Sequence, residues 1–124
     1  YNGKWNMGIF KNTLTGRKDG FGLSQREGAI LGSLSLRPNH GYAIAKDIRE
    51  ATDGKIEFTA ATMYETIAQL RELGLIDRNG EETIGEGRTR KTYRITGEGE
   101  VALQEYLSLL QQTLPKTLGL QGGA

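Results

Sequence analysis

The sequence predicts a mostly α-helical fold that carries one small β-hairpin and ends in a long helix. Two observations lead there. From Ser24 to Gly74 apolar residues recur at the three- and four-residue steps of a helical face, interrupted by two clusters of turn formers. After Gly74 the pattern shortens to that of strands, and from Thr96 to Pro115 the helical step returns.

The first helix starts at Ser24, which with Glu27 has capping-box spacing, and its buried face is Ile30, Leu31 and Leu34. Arg37 to Gly41 is a turn by composition. The second helix runs from Tyr42 to Thr52. Tyr42, Ala45 and Ile48 share a face beside Ile44, and the pattern makes Tyr42 a core residue. Lys55 to Phe58 alternates polar and apolar, as a short strand or an extended lead into the next helix would.

The third helix, within Thr59 to Gly74, buries Met63, Ile67, Leu70 and Leu73. Thr59 is a candidate N-cap, and Thr62 with Glu65 offers a second start. Gly74 stands where a left-handed residue ends a helix. Leu75 to Arg78 and Lys91 to Ile95 are of strand type, joined by a long polar loop with a projecting tip. Three helices followed by such a hairpin form a winged helix-turn-helix. Beyond it, Leu103, Leu107, Leu110 and Leu114, with Tyr106 alongside, make a heptad-like seam that Pro115 ends. The seam either packs back on its own domain or joins two copies. The second reading is favoured because the preceding unit already has its full set of elements.

The chain thus divides into an N-terminal arm or short helix (1–23), a winged-helix domain (24–96), a dimerisation helix (97–115) and a tail (116–124). Trp5, Ile9 and Phe10 in the arm are candidates to pack across the dimer junction.

Composition narrows the function. The chain has 124 residues, no cysteine and one histidine, so thiol chemistry and a two-histidine metal site are excluded. No apolar run reaches the length of a membrane span, and a cytoplasmic location is expected. No paired-carboxylate or phosphate-cradling motif points to an enzyme, and no cofactor is implied. Net charge is +1, but Arg88, Arg90, Lys91 and Arg94 place four cations within seven residues with no acid between. Such a cluster suits phosphates on an otherwise neutral protein. Thr59, Thr62, Tyr64 and Glu65 line the exposed start of the third helix, the end that enters the major groove in helix-turn-helix proteins. Thr62 can reach a base edge or a phosphate. Tyr64 is either a phosphate contact or a core aromatic. His40 reads as a turn and cap residue. The balanced charge of residues 59–94 also fits a winged helix used only for protein–protein contact.

Four motifs add a resemblance. His40-Gly41-Tyr42 opens the second helix, and Thr62-Met63-Tyr64 lies in the third. Leu70 to Ile76, LRELGLI, leads into the hairpin, and Gly87 to Thr96, GRTRKTYRIT, returns from it. In this order and spacing they resemble the PadR family of bacterial transcriptional regulators, from about Ser24 to Leu114. The resemblance implies a homodimer that binds double-stranded operator DNA through the third helix and the wing. It also implies dimerisation through the C-terminal helix and release by a small aromatic or hydrophobic effector. Glu65 after Tyr64, Thr89 and Thr92 in the wing, and the lack of Trp in the last helix depart from the common pattern.

Overall fold

The computed structural model describes residues 20–113. Within them the chain runs α1 (Gln25–Leu36), β1 (Asn39–His40), α2 (Gly41–Ala51), α3 (Ala60–Glu72), β2 (Ile76–Gly85), β3 (Arg88–Ile95) and α4 (Gly97–Thr113). The strands form one antiparallel sheet in the order β1-β3-β2. This is the winged-helix arrangement with a fourth helix appended. Trp5 and Leu114, both assigned to the dimer junction by the sequence, lie outside the described residues.

Each helix starts where a side chain satisfies an otherwise unpaired backbone N–H. At α1 the capping box is complete: Ser24 Oγ accepts from Glu27 N–H at 3.1 Å and the Glu27 carboxylate accepts from Ser24 N–H at 2.7 Å. At α2 the cap is His40, whose Nδ1 lies 3.2 Å from the Ala43 N–H. At α3 it is Thr59, whose Oγ1 accepts from Thr62 N–H at 3.0 Å. Thr62 therefore sits inside the helix, and the alternative start at Thr62 is not used. The end of α3 is a Schellman motif. Gly74 has φ +79°, its N–H reaches the Arg71 carbonyl, and Leu75 N–H reaches the Leu70 carbonyl. Thr96 then ties two helices together: its Oγ1 accepts from Gly99 N–H and donates to the Gly74 carbonyl.

The core joins Ile30, Leu31 and Leu34 of α1 to Ile44 and Ile48 of α2 and to Met63, Ile67 and Leu70 of α3. Leu73, Leu75, Ile76, Tyr93 and Ala102 close it. Complete burial of one such aliphatic side chain is worth about 1.5–3 kcal/mol relative to exposure. The first turn of α4 lies tight on the domain, for a Cβ at Gly99 would run into the Leu75 carbonyl.

Three expectations change. The wing is not two short strands around a long loop: β2 and β3 run almost to the tip and turn over Glu86 and Gly87 alone. Both residues have positive φ, +49° and +79°, as a two-residue hairpin turn of the primed type requires. Residues 37–41 are not only a turn, because Asn39 and His40 pair with Tyr93 and Thr92 of β3. Tyr42 is not a core residue; it is 68% exposed, while Ile44 and Ile48 carry the buried face of α2.

Candidate nucleic-acid interface

Pairing of β1 with β3 brings the start of α2 against the wing. His40 faces Thr92 in the ladder, and its ring lies two residues from Arg90 along β3. Arg90 Nη1 is 2.7 Å from His40 Nε2. The His40 and Tyr42 rings are stacked, with centroids 6.4 Å apart and planes within 9°. Gly41 lies against the Tyr64 ring, where a Cβ would come within 3.2 Å of Tyr64 Cε1. A glycine there lets α3 approach α2 closely. His40, Tyr42, Tyr64, Thr89, Arg90 and Lys91 consequently line one shallow depression between α2, α3 and the wing.

Tyr64 is 53% exposed and is therefore not a core aromatic. Thr59 is exposed at the tip of α3, and its hydroxyl donates to Thr62 Oγ1 at 3.0 Å. That leaves the half-buried Thr62 hydroxyl a proton to offer an acceptor. Arg88 and Lys91 are exposed, and among the described residues neither has an ion-pair partner. Arg94, the fourth cation of the run, is 3.5 Å from Asp77 and belongs to the base of the hairpin. Glu65 is exposed one step round the helix, beside Gln69 and Arg71 and away from the wing depression.

A second concavity, of about 310 Å3, separates α2 from the start of α3. Tyr42, Phe58, Met63 and Tyr64 line it, with Lys46 and Arg49 at its edge. Arg26 fixes Phe58: its guanidinium lies 5.5 Å from the ring centre and donates to the Glu57 carbonyl at 2.9 Å. Lys46 and Arg49 were not singled out in the sequence, and Tyr42 was assigned to the core. The available signal was the polar cap His40, since the first turn after a cap lies at the edge of a core.

The His40 imidazole is held below its ordinary pKa. Burial disfavours its charged form and the Arg90 guanidinium repels a second positive charge, while Glu82 and Asp47 pull the other way. At neutral pH the ring is uncharged, and Arg88, Arg90 and Lys91 supply the wing's positive field.

On α4 the seam divides. Ala102 is buried, and Leu103 and Tyr106 pack against the core of their own domain. Leu107 and Leu110 remain 46% and 41% exposed. Leu103 and Tyr106 are thus partly covered by their own domain, and Leu107 and Leu110 are the more exposed part of the seam. The reason is the contact with α1, where Gly28 leaves room for the Tyr106 ring.

Among the described residues no group of acidic or histidine side chains could hold a metal ion, and no helix is long and apolar enough to cross a membrane.

Comparison with known proteins agrees with this fold. Residues 30–105 match the family model described as the transcriptional regulator PadR-like family. A transcriptional regulator from Clostridium thermocellum is 27% identical, covering 77% of this chain and 92% of its own, with a TM-score of 0.63. A PadR family transcription regulator from Clostridium difficile is 26% identical over 74% of this chain and 96% of its own, at a TM-score of 0.57. Bacillus subtilis PadR, solved in complex with operator DNA, shares the fold at 24% identity and a TM-score of 0.60, over 73% of this chain and 49% of its own. A search of curated proteins found no match. With the family model covering most of the winged helix and the start of α4, the chain belongs to the PadR-like family of transcriptional regulators.

Proposed function

We propose that this regulator binds operator DNA as a homodimer, with α3 in the major groove and the wing on the backbone, and that it acts as a repressor released by a small aromatic or hydrophobic molecule. One observation supports this most: Tyr64 of α3 and Arg90 and Lys91 of the wing line one depression. Thr59, Thr62, Tyr64 and Glu65 offer hydroxyls and an acceptor toward bases and phosphates, and Arg88, Arg90 and Lys91 offer charge to phosphates alone. Bacillus subtilis PadR, which shares this fold, was solved in complex with operator DNA, and that supports DNA as the partner.

One recognition helix covers few base pairs, and two half-sites lie about 34 Å apart on the duplex. Leu107 and Leu110, exposed together on α4, are the natural contact between copies, with Leu103 and Tyr106 at its rim and Leu114 and Trp5 as further candidates. The α2–α3 concavity has room for a one- or two-ring effector of aromatic or hydrophobic character.

Fluorescence anisotropy with duplexes selected from a random pool tests the reading. Binding is expected to weaken steeply with salt and to favour selected over random sequence. A module used only for protein contact gives no salt-dependent binding.

A further inference from the structure

His40 stands between two donors. Its Nδ1 faces the Ala43 N–H that it caps, at 3.2 Å, and its Nε2 faces Arg90 Nη1 at 2.7 Å. A guanidinium is always charged and has nothing but N–H groups to offer. A neutral imidazole has one lone pair and one N–H. With the lone pair on Nδ1, α2 is capped but Nε2–H points at the guanidinium. With the lone pair on Nε2, Arg90 is held but the cap is lost. An imidazolium can do neither.

We propose that His40 is a positioning residue for the DNA contact: it competes with DNA for Arg90. Transfer of Arg90 to a phosphate frees the Nε2 lone pair that held it, and that nitrogen takes up a proton from solvent, giving an imidazolium that no longer caps α2. The inference rests on reading this face as a DNA interface.

The charges around the ring set the sign. Arg90 and Lys91 come from β3, Glu82 from β2 and Asp47 from α2, with the Tyr42 and Tyr64 hydroxyls alongside. Glu82 lies 3.9 Å from Nε2. In the free protein, burial and Arg90 outweigh Glu82 and Asp47, and the ring resists protonation. In the complex Arg90 is neutralised by a phosphate, and that phosphate joins Glu82 and Asp47 in favouring the charged ring. The bound form therefore holds a proton to higher pH than the free form. Binding takes up that proton and tightens as pH falls, by at most about tenfold per pH unit for one site.

The chain makes this testable, because His40 is its single histidine. Carboxylates titrate well below an imidazole and amines above it, so proton uptake between about pH 5.5 and 7.5 is assigned to one ring. Anisotropy at constant ionic strength on a selected duplex of roughly 30 base pairs should show Kd falling about three- to tenfold from pH 7.5 to 5.5. NMR of the imidazole should show it titrating higher in the complex than in the free protein. His40→Asn keeps a capping oxygen and should flatten the pH profile with the fold intact by circular dichroism. Arg90→Gln should move the titration of the free ring upward. A pH slope that survives His40→Asn, a titration that DNA leaves unchanged, or a free ring indifferent to Arg90→Gln each overturns the proposal. Tight DNA binding with a flat profile removes this inference alone; absence of DNA binding at every pH removes the functional reading with it.

Discussion

α3 and α4 carry similar apolar stripes and meet different fates. Met63, Ile67, Leu70 and Leu73 of α3 are all buried within their own domain, at 0–4% exposure. On α4 the stripe is shared out, with Leu103 and Tyr106 turned to the domain and Leu107 and Leu110 left half-exposed. The difference lies in the neighbours. α3 has α1, α2 and the start of β2 around it, whereas α4 touches the domain mainly through α1 and the foot of β3. A stripe that closes a core holds a fold together; a stripe left half-open offers a surface to another copy.

The comparison breaks most sharply under two substitutions. Leu70→Ala empties a fully buried site and should cost about 2–5 kcal/mol, a large part of the stability of a domain this size. Chemical denaturation of the purified variant reads it. Leu107→Glu should leave the domain folded, yet a two-fold contact places its charge in the junction twice. We expect a monomer by size exclusion with light scattering, together with loss of operator binding. A variant that stays dimeric would move the interface off this face of α4.

A smaller effect separates the docked half of α4 from the free half. A Cβ at Gly28 would lie 2.5 Å from Tyr106 Cε2. On an exposed helix Gly→Ala is stabilising, but Gly28→Ala should here displace the ring and cost about 1–3 kcal/mol. Adding Tyr106→Leu should restore part of that loss, and a double-mutant cycle measures the coupling. If the two changes are additive, Tyr106 is not what seats α4 on α1.

The two helices were equally plain in the sequence because caps and periodicity are local: Ser24, Thr59, Gly74 and Thr96 act where their residue types lead one to expect. The wing was harder. Apart from Ile84, Asn79 to Gly87 is polar or glycine, since both faces of the projecting ladder meet water, and no alternation marks it as strand. The two residues of β1 exist only through pairing with β3, a contact fifty-odd positions away. Tyr42 was misread because helical periodicity fixes which face a residue shares but not where along the helix the core stops. For the same reason the seam of α4 showed its pitch but not its division between two neighbours.

The wing sharpens the contrast between reading and holding. Arg88→Ala with Lys91→Ala removes two unpaired cations and should lower the log–log salt slope of DNA binding by about two, since each phosphate contact contributes about 0.9. Selected and random duplexes should weaken alike. Thr62→Ala should instead narrow the gap between them, because the base-edge contacts proposed above are those of α3. An unchanged slope would take the wing out of the interface.

The smallest expected effect compares the caps of the two helices. Thr59 Oγ1 accepts from Thr62 N–H at the exposed tip of α3, so Thr59→Ala should cost about 1 kcal/mol, the ordinary worth of a threonine cap. Thr96 does the same for Gly99 N–H, but its hydroxyl proton goes to the Gly74 carbonyl, 2.7 Å away at the end of α3, whereas that of Thr59 goes only to the exposed Thr62 hydroxyl of its own helix. Thr96→Ala therefore loses the cap and a second hydrogen bond that fastens α4 to the end of α3, and should cost roughly 1 kcal/mol more. Thr96→Ser keeps both oxygen contacts and should recover most of the loss. Urea denaturation of the three variants against the parent gives the order directly. Equal costs for Thr59→Ala and Thr96→Ala would mean that the Gly74 bond adds nothing, and that α4 is held on the domain by its side-chain packing alone.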